Sequence, residues 1–291
     1  MPAGHGTVTV ARDWSAIFEP ATARQLNVAR KILVLTIGVY LALGPFTRMA
    51  GQPAALFRPV LPLRLIGIEA VPSTAWMLGL QLVGLVGVAL ALTRRGARVG
   101  FVAAWLAFFI LSAFESSFGK YLHNDAVLLL ASAPLLAAPG PEDSEPLGPS
   151  HRFGWSLSSG LIVLVFCYWF AGLAKVVNSG ASWVFGDNIR YVMADAAASG
   201  HPWWPQIASF VSEEPFLSYV TGAYILGLEL TVPVVLFSRK LRPWFAAAIV
   251  YLHVATFFTL GLDYWSWAVA ACVLLLRPDF RWKSPFREKV S

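Results

Sequence analysis

The sequence predicts an all-α, polytopic integral membrane protein, a bundle of about eight transmembrane helices. Three observations carry this. Hydrophobic residues make up 57% of the 291-residue chain and charged residues only 13%, against roughly 25% charged in soluble domains. Mean hydropathy is +0.63. Apolar stretches recur at lengths near the ~20 residues needed to cross a hydrocarbon core. A soluble chain of this composition would expose large aggregating patches. The soluble-enzyme, nucleic-acid-binding and disordered classes are therefore excluded. The net charge of +6 suits the cytoplasmic loops of a membrane protein and needs no nucleic-acid partner.

Taken in order, the candidate spans are 31–50, 74–93, 98–115, 121–138, 157–177, 217–237, 243–261 and 263–277. The third and last are short, and almost nothing separates the last two. The first 30 residues have no apolar run of signal-peptide type, so the first span is expected to direct its own insertion. The chain divides into a cytoplasmic segment 1–30, a membrane domain 31–277 and a basic cytoplasmic tail 278–291. With both termini in the cytoplasm, only Arg48, Arg58, Arg64, Lys120, Lys175 and Arg190 of the 22 basic residues fall outside. That bias obeys the positive-inside rule and favours an even number of spans in the plasma membrane. The Pro-containing segment 51–73 and the Trp-rich segment 178–216 are expected to lie on the outer surface as short amphipathic helices or a lid. Cys167 and Cys272 sit in apolar runs and have no metal-type spacing, so they read as small hydrophobes. No metal is expected.

Ionisable residues inside spans are costly and mark candidate sites. Glu115 closes the third span on the outside, and His123 opens the fourth from that side. Lys175 lies near the outer end of the fifth span, Glu229 near the middle of the sixth and His253 near the middle of the seventh. Lys175, His123, Glu229 and His253 are thus expected to border one cavity in the outer half of the bilayer. Asn124 and Asp125 stand next to His123, where an acid can orient the ring. A lysine in an apolar pocket serves as a base only if desolvation disfavours its ammonium form.

Residues 168–183 read YWFAGLAKVVNSGASW, followed by Val184, Phe185, Gly186 and Asp187. His123 lies in KYLHNDAVLLL, Glu229 in LGLELTVPVVLF before the basic turn 239–242, and His253 in YLHVATFFTLGLDYW. Taken in chain order, these stretches resemble the membrane domain of vitamin K-dependent γ-glutamyl carboxylases and their bacterial relatives, often called the HTTM domain. The likeness covers roughly residues 20–277. The motif Ala171-Gly172-x-x-Lys175 followed by Trp183 and Gly186 is its centre; Ala174 stands where the animal enzymes have a first lysine. The resemblance implies an enzyme that carboxylates glutamate side chains of a secreted peptide. It implies reduced vitamin K, or menaquinone in a bacterium, as cofactor, with O2 and CO2 as co-substrates. A lysine matching Lys175 would deprotonate the hydroquinone, and oxygen addition would then give the strong base that removes the glutamate γ-proton. His123 and His253 would bind or polarise the reacting oxygens, with Glu229, Trp183 and Asp187 on the cofactor. Arginine outnumbers lysine 16 to 6, as suits a high-GC bacterium. Two other readings remain open: a membrane protein that matures a secreted peptide, and a non-catalytic lipid- or quinone-binding protein whose charged residues form structural pairs.

Overall fold

The computed structural model describes residues 18–119, 124–140, 148–200 and 202–279. Among them the only β pairing is an isolated bridge between Ala21 and Ser150; the rest of the regular structure is helical. Among the described residues, six helices are long and apolar enough to cross a membrane. The first is α1 (Ala23–Leu43), which a capping box starts: the Thr22 hydroxyl accepts from Gln25 N, and the Gln25 side chain accepts from Thr22 N. The turn at Gly44 and Pro45 ends it. The span expected at 31–50 therefore begins eight residues earlier, because the cap at Thr22 outweighs the polar residues that follow it.

After short 310 turns (Phe46–Gly51, Ala54–Leu56) and α2 (Leu61–Leu65), the hairpin of α3 (Thr74–Leu92) and α4 (Ala97–Glu115) follows. The expected fourth span becomes α5 (Ala126–Ser132) continued by a 310 turn through Leu136, because Pro134 breaks the α ladder. Next comes the long α6 (His151–Ser179). Then α7 (Ser182–Phe185), α8 (Asn188–Ser199) and α9 (Pro205–Glu213) form the expected short helices of 178–216. The chain returns through α10 (Pro215–Thr231), α11 (Arg242–Leu260) and α12 (Trp265–Leu276). The apolar stretches Ala126–Leu136 and Trp265–Leu276 are each ~16–18 Å long at 1.5 Å per residue. Alone they are shorter than the ~30 Å hydrocarbon core.

Hydrogen bonds sort the loops onto two ends. At the first end Ala21 pairs with Ser150, and the Gln25 side chain donates to the Arg277 carbonyl. There Arg30 donates to the carbonyls of Leu135, Ala138 and Pro139 and so satisfies the end of the fourth apolar segment. At the second end Arg58 N donates to Ser117 O, Trp204 N to Phe258 O, and the Ser266 hydroxyl to Asn124 O. Segments that the charge count assigns to one side thus meet at one end.

The core runs between the helices. Leu26, Leu33, Ile37 and Leu41 of α1 meet Phe101, Phe108 and Leu111 of α4 and Leu157, Leu161 and Leu164 of α6, all at most 1% exposed. Outward faces are equally apolar: Leu82, Val83 and Val86 of α3 and Phe170 and Val177 of α6 are each more than half exposed. A continuous apolar exterior of this kind suits lipid rather than water. The glycines mark where backbones touch. A Cβ on Gly100 would strike the Ala91 amide on α3, and one on Gly154 would strike the Glu19 carbonyl. Small residues allow such approach between membrane helices. Gly100→Leu is expected to force α3 off α4 and cost about 1–3 kcal/mol, read as an earlier unfolding midpoint in a detergent titration.

Candidate functional site

The centre of the site lies on one face of α6. Tyr168, Gly172 and Lys175 occupy positions i, i+4 and i+7, so they stack along one side of the helix. Gly172 permits the close crossing of α10. A Cβ there would lie 2.9 Å from the Glu229 Cβ, so α10 seats Glu229 between Tyr168 and Lys175. Lys175 Nζ donates to Glu229 Oε1 at 2.7 Å. The Glu229 side chain is 9% exposed and that of Lys175 21%. Neither charge reaches water freely, and each is the other's main compensation.

Beyond Lys175, Gly180 (φ +56°) turns the chain out of α6 in a conformation that favours glycine. The turn returns α7 over the helix end, where Lys175 Nζ lies 5.1 Å from the centre of the Trp183 ring, a cation–π contact. On the other side of Glu229, two turns down α6, Tyr168 meets α11: its hydroxyl is 2.6 Å from His253 Nε2. Trp267 of α12 packs edge-on against both Tyr168 and His253, and Tyr264 leans on the same imidazole. Within this site three buried polar atoms have no hydrogen-bond partner among the described residues: Glu229 Oε2, Trp183 Nε1 and His253 Nδ1. Such atoms are costly unless something supplies a partner.

Lys175, Glu229, Trp183 and His253 are therefore gathered against α6 around two pairs, one Lys–Glu and one Tyr–His, and they do not line the cavity that was expected to join them with His123. Asp187 does not join them. It pairs with Arg190 at 2.9 Å, one turn along α8, and is about half exposed, because the turn after α7 directs it outward to its helical neighbour. His123 lies outside the described residues. The segment next to it is tied to the site, since the Asn124 carbonyl accepts from Trp267 Nε1 at 2.9 Å and from the Ser266 hydroxyl. There a cavity of about 300 Å³ opens between Tyr40, Phe108, Glu115, Asn124, Asp125, Asp263 and Trp265.

No cluster of three or more His, Cys, Asp or Glu suited to a metal occurs among the described residues. Cys167 and Cys272 are free and half-buried. Tyr168 and Trp267 are missing from the residues singled out by sequence. For Tyr168 a signal existed, since it stands seven residues before Lys175 and hence on the same helical face. Trp267 had none beyond its place in an aromatic run.

The donor and acceptor set fits a ligand with hydroxyl or carbonyl oxygens at two places. Trp183 Nε1 and a protonated His253 nitrogen can donate, and Glu229 Oε2 can accept. No family model, curated protein or solved structure matches this chain.

Proposed function

We propose that this chain is an integral membrane enzyme of the quinol-dependent carboxylase type. It would act on glutamate side chains of a secreted peptide, with a reduced naphthoquinone of the vitamin K or menaquinone class, O2 and CO2. The single observation that supports this reading is the partly buried Lys175–Glu229 pair beneath Trp183. When bound, the reduced quinone supplies an acidic hydroxyl and the electrons that oxygen takes up.

What the chain supplies is a place for the proton. Across 2.7 Å the proton that Lys175 shares with Glu229 can move onto the carboxylate. That leaves a neutral amine with its lone pair inside an apolar bundle, where separated charges are disfavoured. The amine is then the base, and the protonated carboxyl the neutral partner that holds it in place. Trp183 lies over the pair, and a cover of this kind limits the water that could quench a strongly basic species.

The test is turnover in lipid nanodiscs with menaquinol, O2, labelled bicarbonate and a glutamate-rich peptide. The expected result is oxygen-dependent quinone epoxide and label in the peptide. Lys175→Ala is expected to reduce both by a factor of about 10²–10⁴, the usual worth of a positioned general base. Lys175→Arg is not expected to restore them, because a guanidinium stays protonated. Near-normal turnover in either variant, or no epoxide from the folded wild type, overturns the reading and leaves the pair as a tie between α6 and α10.

A further inference from the structure

A hydrogen bond between a tyrosine hydroxyl and an imidazole nitrogen can run in either direction. At Tyr168 and His253 the surroundings decide it. Tyr168 is 2% exposed, and among the described residues its hydroxyl makes one hydrogen bond, to His253 Nε2 at 2.6 Å. His253 is 7% exposed, and its Nδ1 has no partner among the described residues. If Nε2 carried the proton and donated, the hydroxyl proton of Tyr168 and the lone pair of Nδ1 would both be buried and unmatched. If Tyr168 donates, Nε2 is satisfied as acceptor, and the only group left over is an N–H at Nδ1. Burying one unmatched group costs less than burying two.

We infer that Tyr168 is a positioning residue that holds His253 in the Nδ1–H tautomer, so that His253 serves the site as a hydrogen-bond donor and not as its base. The packing agrees with a fixed role. Trp267 sits 5.5 Å from Tyr168 and 5.8 Å from His253, both edge-on, and Tyr264 lies 5.9 Å from the imidazole. The ring therefore cannot flip without disturbing three aromatic neighbours. Indole N–H of Trp267 is itself committed to the Asn124 carbonyl, which anchors this cage to the segment beside the cavity.

The consequence is a division of labour along α6. Lys175 and Glu229 exchange the proton, while His253, held by Tyr168, presents an N–H to an oxygen of the ligand. Such a donor steadies a negative oxygen as charge develops on it, and it does so without itself changing protonation. The inference rests on the catalytic reading of this site, yet the tautomer is a property of the resting protein and is read without substrate.

The experiment is 15N NMR of histidine-labelled full-length protein in nanodiscs, with the His253 signals identified by their absence in His253→Gln. In the wild type, Nδ1 is expected to be the protonated, pyrrole-like nitrogen and Nε2 the pyridine-like one. In Tyr168→Phe, which keeps the ring against Trp267, the Nε2–H form is expected to gain about 10-fold relative to Nδ1–H, the effect of losing one buried hydrogen bond. A wild type with Nε2 protonated, or a Tyr168→Phe protein with unchanged tautomers, overturns the inference. The wild-type spectrum decides the first point even if Tyr168→Phe does not fold. Absence of epoxide formation alongside the expected tautomers overturns the proposed reaction and leaves the donor assignment standing.

Discussion

Lys175→Met is expected to destabilise the protein by about 3–5 kcal/mol, the cost of leaving one member of a buried pair uncompensated. Adding Glu229→Leu is expected to return most of that loss, since two apolar side chains of similar volume replace the pair without stranding a charge. Glu229→Leu alone should cost less than Lys175→Met alone. The lysine stem is flexible, lies near the end of α6 and can carry its ammonium toward the interface, whereas Glu229 is short and 9% exposed. Unfolding midpoints of the four proteins in one lipid composition close this double-mutant cycle. The informative result is the double variant. If it is as stable as the wild type and still inactive, the pair is retained for chemistry. If it is both stable and active in the epoxide assay, the pair is only a structural tie.

Glu19→Gln is expected to have an effect of the same size, about 3–5 kcal/mol, at the opposite end of the bundle. Glu19 is 4% exposed and gathers three arginines. Arg242 donates from Nη1 to Oε2 at 2.8 Å and from Nη2 to Oε1 at 2.7 Å, Arg239 donates from Nε at 2.6 Å, and Arg277 Nη1 approaches within 3.4 Å. Arg242 and Arg277 are themselves buried, with side chains 6% and 7% exposed. Removing the one carboxylate leaves two buried cations facing each other. Arg239, 66% exposed, adds little, because water already screens it.

The same group sets a dependence on pH. Burial alone would raise the Glu19 carboxyl, but hydrogen bonds from Arg242 and Arg239 and the charges of Arg242 and Arg277 outweigh it and hold it below its ordinary 4.5. A carboxyl depressed by folding contributes stability that is present in full above its unfolded value and is lost as pH falls through the lower folded one. Wild type should thus keep the contribution of Glu19 at pH 7 and down to about that ordinary value, and lose it in more acid solution. Glu19→Gln should lack this component at every pH. Unfolding midpoints from pH 7 to pH 3 test this: the gap between the two proteins is expected to narrow only in the acid range. A gap that stays constant to pH 3 means the destabilisation comes from lost packing and not from the charge.

How much of this was legible in the residues differs from element to element. The class of the protein was, and so was the approximate place of each apolar helix, because hydropathy is a property of consecutive residues. The short helices of 178–216 were legible from the alternation of tryptophans, prolines and charges. Helix ends were less so: the start of α1 depends on the Thr22–Gln25 cap, and the short fourth segment depends on Pro134. Of the site, Lys175, Glu229 and His253 were found because an ionisable group in an apolar run is costly wherever it points. That they would come together was expected from their common depth; which of them pair was not legible. That Glu229 meets Lys175, that Asp187 turns to Arg190 instead, and that Tyr168 holds His253 across 85 positions of sequence depend on which helices cross and where glycine lets them touch. Glu19 shows the limit most plainly. By sequence it is one polar residue in an amino-terminal segment; in the folded chain it is the buried partner of three arginines from positions 239, 242 and 277. Composition and the lengths of the apolar stretches determine that the chain is a membrane helix bundle, since each helix must match its own stretch of lipid. Only the tertiary structure decides which charges neutralise one another, since a buried charge is stabilised by whichever opposite charge the packing brings within a few ångströms, however far away it lies along the chain.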